Sequence, residues 1–148
     1  MAPRQLHATT VLLGDYGVLI VGDSGAGKST LALALVQRCR LAGLYAALVA
    51  DDRTDMAARN GRLLASVPAR IAGLVEVHGL GPSQVAHEQR AVVDLMVRLV
   101  EPGLAPRFQE GDSEAVAGCL VPCLALPRRQ AESACSAVLS WLRLPPFR

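Results

Sequence analysis

A glycine-rich segment between two apolar runs constrains this chain more than any other feature. Residues 22–29 read Gly-Asp-Ser-Gly-Ala-Gly-Lys-Ser and fit the pattern G-x-x-x-x-G-K-[ST] at every fixed position. The apolar run 18–21 before it is typical of a strand, and the run 31–36 after it is typical of a helix. A strand–loop–helix setting of this kind favours a phosphate-binding P-loop over an incidental glycine-rich turn.

The chemistry of this segment suits the phosphates of a nucleotide. Glycines let backbone N–H groups turn toward polyphosphate oxygens, and the Lys28 ammonium can reach the β- and γ-phosphates. The Ser29 hydroxyl can bind Mg²⁺ at the positive N-terminus of the helix. The predicted nucleotide contacts are Gly22, Asp23, Ser24, Gly25, Ala26, Gly27, Lys28, Ser29 and Thr30.

Composition restricts the domain organisation and the partners. With 148 residues, of which 51% are hydrophobic, the chain is expected to form a single domain over residues 1–148 with its own core. The 15 basic and 13 acidic residues are spread without a block of one sign, and only one Trp, two Tyr and two Phe are available for stacking. These features predict no nucleic-acid or membrane partner. Because the first residues lack the pattern of a signal peptide or membrane anchor, we expect a cytoplasmic protein.

The pattern of apolar runs and turn residues predicts an α/β fold with a mixed β-sheet and flanking helices. A Pro-interrupted strand at 120–126 is expected near a sheet edge, since proline cannot donate to a ladder. The 101–113 segment, rich in Pro and Gly, is expected to be a loop. The other expected elements are strands at 6–13, 16–21, 45–50, 71–77 and 91–100, a hairpin at 56–67 and helices at 29–41 and 130–142.

The four cysteines do not indicate a metal or redox site. They form no C-x-x-C pair and have no His partner at zinc-ligand spacing. Buried thiols are the favoured interpretation for Cys39, Cys119, Cys123 and Cys135.

An acidic pair, Asp51-Asp52, ends the predicted 45–50 strand. P-loop enzymes that transfer phosphoryl groups need a carboxylate near the metal and a residue that orients or deprotonates the attacking group. Successive residues at a strand end point to opposite faces, so either the strand breaks here or the two carboxylates have different roles. An Asp pair after a strand is also common as a helix cap or solvated turn, but the P-loop one strand–helix–strand unit upstream favours the functional reading.

Three more side chains are candidates whose sequence context leaves alternatives open. His7 lies in an apolar run, where a core or edge histidine is the usual case. Glu76 lies in an otherwise apolar strand, where a buried carboxylate needs a metal, a water or a cation such as Arg53 or Arg70. Arg107, in the Pro/Gly-rich loop, could stabilise a transferring phosphoryl group, although sequence alone favours a solvated side chain.

Taken in order along the chain, these motifs resemble the catalytic domain of HPr kinase/phosphorylase. The resemblance rests on His7, the 22–29 motif, Val-Ala-Asp-Asp-Arg at 49–53, the 68–73 segment and Gly-Leu-Val-Glu-Val-His-Gly-Leu-Gly at 73–81. The 49–53 segment followed by Gly-Leu-x-Glu-Val-x-Gly-x-Gly is far more specific than the P-loop, which many NTPases share. The ordered match covers almost the whole chain and implies a P-loop kinase domain.

The resemblance implies a cytoplasmic serine kinase that uses ATP and Mg²⁺ to phosphorylate HPr, the small phosphocarrier of the sugar phosphotransferase system. In the family, inorganic phosphate is the attacking group of the reverse reaction. A homo-oligomer, in the family a hexamer, is also implied. Longer members have an additional N-terminal domain that is not among these 148 residues, so the resemblance implies the short form associated with alphaproteobacteria.

The resemblance also implies roles for the candidate residues. Asp51 would be the base toward the substrate serine and the acid toward phosphoserine, with His7 beside it and Asp52 helping to position that centre. Ser29 and Glu76 would face the metal, and Arg107, within Pro-Arg-Phe-Gln-Glu, would contact phosphate or partner.

At position 78 the chain departs from the family, which usually has Arg there and not His. Imidazole is neutral much of the time at pH 7 and lacks the fork of guanidinium donors, so a weaker or altered phosphorylase reaction is implied. Two rival readings keep the P-loop: a kinase of a small molecule, and a nucleotide-sensing regulator without turnover that binds a partner through residues 78–82. Phosphotransfer assays with HPr distinguish them.

Overall fold

The computed structural model describes residues 4–147. Its helices are α1 (Lys28–Leu41) and α2 (Ala131–Leu142), with 3₁₀ turns at Ala69–Ile71 and Pro102–Leu104. Its strands are β1 (Arg4–Leu6), β2 (Ala8–Leu13), β3 (Tyr16–Val21), β4 (Ala46–Ala50), β5 (Thr54–Arg59), β6 (Arg62–Ser66), β7 (Leu74–Val77), β8 (Gly81–Gln84), β9 (Arg90–Val100), β10 (Ser113–Val116) and β11 (Cys119–Pro127).

The strands form a mixed, curled sheet in the order β1-β5-β6-β9-β3-β2-β4, with β11 added to β9 and β10 to β11. β9 runs parallel to both β3 and β11. β2 is antiparallel to both β3 and β4, so β4 has the same direction as β3. The C-terminal ends of β3, β4, β9 and β11 therefore meet at one edge, which is where open α/β sheets bind ligands.

Two hydrophobic clusters lie on the two faces of the sheet. β3 contributes to both, because Val18 and Ile20 face the helices while Leu19 faces the opposite cluster. The first cluster packs α1 and α2 against the sheet and against each other. The second, smaller cluster lies where the β5–β6 hairpin and the β10–β11 hairpin fold over the other face, and includes Met56, Leu63, Met96 and Val121. Burial on both faces accounts for the unbroken apolar run before the glycine-rich segment.

Helix α1 starts and stops at glycines. Gly27 is its N-cap with φ 94° and, as a glycine, has no side chain to cap that end. At the other end Gly43 has φ 84°, and its N–H donates to the Arg40 carbonyl at 3.0 Å. The expected C-terminal glycine is therefore confirmed. Neither helix within residues 4–147 is long and apolar enough to cross a membrane.

The α/β prediction with a mixed sheet and flanking helices is confirmed, but some strand boundaries were wrong. The single strand expected at 6–13 is broken at His7, because Leu6 pairs with Thr54 of β5 while Ala8 pairs with Val21 of β3. β8 and β10 were not predicted. Each is four residues long and pairs with one neighbour only, so neither needs the apolar run that marks a buried strand.

The Pro-interrupted strand lies near a sheet edge, as expected. β11 pairs with β10 up to Pro122 and with β9 from Cys123 onward, so the proline stands where the strand changes partner. On the free edge of its second half, the Gln109 side chain bonds both the N–H and the carbonyl of Ala125.

Candidate functional site

A cavity of about 900 Å³ lies at the edge where the four strand ends meet. Its walls are the glycine-rich loop (residues 22–27) with the first turn of α1, the residues after β4, the β7–β8 hairpin and the start of α2. Elements far apart in sequence share this cavity because their strands have the same direction. The loop that sequence analysis singled out forms its floor.

The backbone of the glycine-rich loop leaves donors free for an anion. Gly25 and Gly27 have φ of 82° and 94°, values that glycine adopts without strain. The Ala26 N–H closes the turn on the Asp23 carbonyl at 3.0 Å. Because no side chain caps α1, the N–H groups of its first turn are available to a ligand at the positive end of the helix.

Lys28 lies beneath this loop with only 7% of its side chain exposed. Its ammonium donates to the carbonyls of Gly22 at 2.9 Å and Asp23 at 3.3 Å. The Asp52 carboxylate is 3.7 Å away. A buried ammonium requires such acceptors, and they hold this one at the floor of the cavity.

The Asp51 carboxylate is fixed by three donors from three different elements. Its Oδ1 accepts from Ser29 Oγ at 2.6 Å and from Thr9 Oγ1 at 2.9 Å. Its Oδ2 accepts from the Glu76 backbone N–H at 2.8 Å. The residue is 8% exposed. The helix after the loop, the start of β2 and the β7 strand therefore converge on one carboxylate.

Asp52, the next residue, has a different environment. Its φ is 64°, its N–H donates to Thr9 Oγ1 at 3.0 Å, and its side chain is 60% exposed beside Lys28. The chain leaves the extended conformation here, so the two carboxylates face different groups. The expected break of the strand at the pair is confirmed, and the two side chains have different contacts; a difference in their roles stays a prediction.

Glu76 and His78 line the cavity from the β7–β8 hairpin. The burial expected for Glu76 was wrong, because its side chain is exposed while Val75 beside it is buried. Successive side chains of a strand point to opposite faces, so Glu76 faces outward where Val75 faces inward. Glu76 therefore presents its carboxylate to the cavity without needing a structural cation.

Two predicted site residues lie outside the cavity walls. His7 is exposed at the bend between β1 and β2, and within residues 4–147 it makes no hydrogen bond to either aspartate. Arg107 is exposed in the long loop, and its guanidinium lies 5.5 Å from the centre of the Phe108 ring. The structure brings neither side chain to the glycine-rich loop.

Two residues that sequence analysis missed contact the site. Thr9 bonds both members of the acidic pair, and nothing in its strand context marks it. Arg129, directly before α2, bonds the glycine-rich loop through its backbone N–H to Ala26 and through its Nε to Gly25. The sequence does show a cation directly after a strand end. That observation indicates a site residue only once β11 is known to lie parallel to β9.

The side chains at the cavity supply some, but not all, of the oxygen ligands that a hard cation such as Mg²⁺ needs. Within residues 4–147, no three His, Cys, Asp or Glu side chains come close enough to hold a metal ion by themselves. The oxygen donors at the cavity include Ser29 and the three carboxylates of Asp51, Asp52 and Glu76. Mg²⁺ commonly combines one or two protein oxygens with substrate phosphates and waters, so this donor set fits it when a nucleotide supplies the rest.

The cysteine thiols do not belong to the site. None lines the cavity, and Cys39, Cys119 and Cys135 are buried, as expected, whereas Cys123 is half-buried. Burial raises the pKa of Cys135 to about 11 and raises the pKa of Cys39 as well. Such thiols are protonated at neutral pH and are poor nucleophiles.

The site thus defines a class: an α/β protein in which a glycine-rich loop and a lysine face a pair of carboxylates at the end of another strand of the same sheet. Comparison with known proteins narrows this class. The family model for the HPr Serine kinase C-terminal domain matches residues 1–102. A structure of the HPr(Ser) kinase/phosphatase from Coxiella burnetii superposes with a TM-score of 0.79 at 28% identity, covering 95% of this chain and 88% of that one.

Two curated proteins with similar sequences are named HPr kinase/phosphorylase. The HPr kinase/phosphorylase of Limosilactobacillus reuteri (strain DSM 20016) is 34% identical over 140 residues, 86% of this chain and 42% of the relative. That of Clostridium tetani is 42% identical over 82 residues, 55% of this chain and 25% of the relative. The chain belongs to the HPr serine kinase C-terminal domain family. It spans less than half the length of these curated relatives.

Proposed function

We propose that this chain is an ATP- and Mg²⁺-dependent protein serine kinase that phosphorylates HPr and also catalyses phosphorolysis of phosphoserine-HPr. The observation that carries the proposal is the Asp51 carboxylate, held 2.6 Å from Ser29 Oγ in the same cavity as the Lys28 ammonium. This contact joins the phosphate-binding motif to a candidate proton acceptor. Family membership and the relatives' names support HPr as the substrate.

The donor nucleotide is proposed to bind through its phosphates. Open N–H groups of the loop and of the first turn of α1 would donate to phosphate oxygens, and Lys28 would move its donors from carbonyls to the β- and γ-phosphates. The predicted contacts are the nine residues 22–30. Charge-assisted hydrogen bonds of this kind are about twice as strong as neutral ones, so most of the affinity would come from this part of the ligand.

The Ser29 hydroxyl and the Glu76 carboxylate are proposed to hold Mg²⁺ together with phosphate oxygens. When bound, the ion neutralises charge that develops on the transferring phosphoryl group. Both oxygens line the cavity, and Glu76 is exposed there. Asp51 would keep Ser29 oriented through the contact already present.

Asp51 is proposed to accept the proton of the substrate serine. An ionised carboxylate has about four lone-pair sites, and three of these are occupied by Ser29, Thr9 and Glu76. The fourth, on Oδ2, would take the serine proton while the serine oxygen bonds to the γ-phosphorus. The bond to the bridging oxygen breaks and ADP leaves. In phosphorolysis, an oxygen of inorganic phosphate bonds to the phosphoserine phosphorus, the bond from phosphorus to the serine oxygen breaks, and Asp51 gives that oxygen a proton, so that HPr and pyrophosphate leave.

The remaining assignments concern residues around this centre. Asp52, beside Lys28, is proposed to help position the reacting groups. Arg107 is proposed to contact HPr and not the nucleotide, because it is exposed outside the cavity. The role of His7 beside Asp51 stays a prediction. So do the single domain over 1–148, the cytoplasmic location, the hexamer, and the absence of nucleic-acid and membrane partners.

A transfer assay tests the proposal directly. The purified chain is incubated with γ-labelled ATP, Mg²⁺ and HPr, and label on HPr is measured; a second assay adds inorganic phosphate to phosphoserine-HPr and measures pyrophosphate. We expect label on wild-type HPr and none on an HPr variant lacking the acceptor serine. ATP binding without turnover would favour a nucleotide-sensing regulator, and ATP turnover without labelled HPr would favour a small-molecule kinase.

A further inference from the structure

Arg129 is fixed against the glycine-rich loop by two hydrogen bonds. Its backbone N–H donates to the Ala26 carbonyl at 3.0 Å, and its side-chain Nε donates to the Gly25 carbonyl at 2.9 Å. The residue has φ 59°, in the left-handed region that non-glycine residues rarely adopt. A strained residue that the surrounding structure holds in place is typical of functional sites, so this one is a reason to search for a role.

The bond to Gly25 leaves most of the guanidinium uncommitted. Nε is one of five N–H donors, and the four on the terminal nitrogens remain. Among residues 4–147, no carboxylate lies within ion-pair distance of Arg129, although the side chain is exposed and lines the cavity. Its terminal Nη2 is 3.7 Å from the point where a Cβ on Gly25 would lie. A positive charge is therefore held beside the loop without a protein anion to neutralise it.

Its neighbour Arg128 has a different role. The Arg128 side chain pairs with Glu101, and its N–H donates to the Val100 carbonyl at 2.8 Å. These bonds join the ends of β9 and β11 and engage the charge of Arg128 outside the cavity. Two adjacent arginines at one strand end thus differ in that only the second faces the cavity unpaired.

We propose that Arg129 binds an oxygen of the donor's phosphate chain from the Gly25–Ala26 side of the loop. The phosphate chain then meets two cations, Lys28 at the floor and Arg129 on the wall formed by the start of α2, besides Arg53, which lines the cavity after β4. The planar guanidinium suits this task because Nε can keep its bond to the loop while the terminal nitrogens reach a phosphate. The inference rests on the proposed function in one respect, namely that the cavity binds a polyphosphate.

The test compares the affinities of ATP and inorganic tripolyphosphate, each with Mg²⁺, by calorimetry. Arg129→Gln should lower the affinity for both ligands about 10- to 100-fold, because hydrogen bonds to charged groups contribute strongly to binding. Arg128→Gln is the matched control and should change neither affinity by more than about twofold, since its pair is partly exposed. Arg129→Lys, which keeps the charge and loses the fork, should lie between wild type and Arg129→Gln.

Several outcomes would overturn the inference. Equal affinities for wild type and Arg129→Gln would remove Arg129 from the site. Weaker binding of ATP with unchanged binding of tripolyphosphate would show that Arg129 contacts the nucleoside and not the phosphates. Arg129→Lys could instead bind the ligands no better than Arg129→Gln and lower the thermal midpoint of the ligand-free protein. Arg129 would then only stabilise the conformation of the loop. If wild type binds neither ligand, the proposed function fails; if wild type binds and Arg129→Gln binds equally, only this inference fails.

Discussion

The glycine-rich loop is held from two sides, and the two sides differ in how far along the chain their residues lie. At the Lys28–Ser29 end, Asp51 reaches the loop from 22 residues away. At the Gly25–Ala26 end, Arg129 reaches it from 104 residues away. The first side supplies carboxylates and the second a cation.

The difference shows that the sheet brings site residues together from both short and long separations along the chain. The near side is built by one strand–helix–strand unit, in which β3, α1 and β4 follow each other. The far side requires β9 and β11 to add to β3 in parallel, so that the chain leaving β11 starts α2 above the loop. The near side therefore depends on local chain order, and the far side depends on the packing of the whole sheet.

Lys28→Ala should have the largest effect, because Lys28 lies between the two sides and is the cation at the floor. Loss of the charged hydrogen bonds should lower the affinity for ATP about 10- to 100-fold. Losing a donor to the transferring group should lower turnover by a further 10²–10³-fold or so. Calorimetry and the HPr labelling assay measure the two effects. Arg59→Ala, which removes an exposed arginine from the β5–β6 hairpin, is the matched control; unchanged affinity and turnover in Lys28→Ala would refute phosphate binding at this loop.

Asp51→Asn tests the near side. The change keeps size and polarity but removes the basic oxygen, so phosphotransfer should fall by about 10²–10⁴-fold while ATP affinity stays within a few-fold. Asp55→Asn, at a half-buried position of β5, controls for loss of one negative charge nearby. Single-turnover kinetics and ATP titrations separate the effects. If Asp51→Asn loses ATP affinity and keeps phosphotransfer, Asp51 is a metal ligand and Asp52→Asn becomes the variant to test as the base.

The near side was predictable from sequence and the far side was not, for physical reasons. Asp51 and Asp52 directly follow a short apolar run, so a strand end could be inferred without knowing any other strand. Arg129 follows a strand as well, but a lone arginine before a helix is common on protein surfaces. Only the parallel order of β3, β9 and β11 brings it to the loop, and pairing order is not encoded in local periodicity.

The wrong prediction for Glu76 has a similar cause. An apolar strand that carries one carboxylate suggests burial when the strand is assumed to lie inside a sheet. β7 instead forms a two-stranded hairpin with β8, which packs Val75 inward and leaves Glu76 exposed. Thr9 was missed because threonine is common in strands, and its two bonds to the acidic pair depend on the β2–β4 register.

Leu139→Ala tests whether the far side depends on helix packing. Leu139 is 1% exposed in the cluster between α2, α1 and the sheet, so the change should lower the free energy of unfolding by about 2–5 kcal/mol. Leu41→Ala, at 81% exposure, should change it by less than about 0.5 kcal/mol. Urea unfolding followed by circular dichroism measures both. Equal stability of the two variants would show that α2 is not held by this cluster.

His78→Arg should have the smallest effect, and it sharpens the comparison because it would add a cation to the side that now has carboxylates. His78 is exposed on the cavity wall, and exposed ion pairs contribute only about 0.2–1 kcal/mol. A guanidinium, charged at every working pH, should therefore raise the rate of phosphorolysis at limiting phosphate by up to about fivefold. The forward kinase rate should change less, since Lys28 is proposed to contact the donor. His78→Gln, which has no charge at any pH, is the control, and both rates are measured separately for each variant. If His78→Arg and His78→Gln both match wild type in both directions, position 78 contacts neither phosphate nor HPr, and the departure from arginine has no functional consequence.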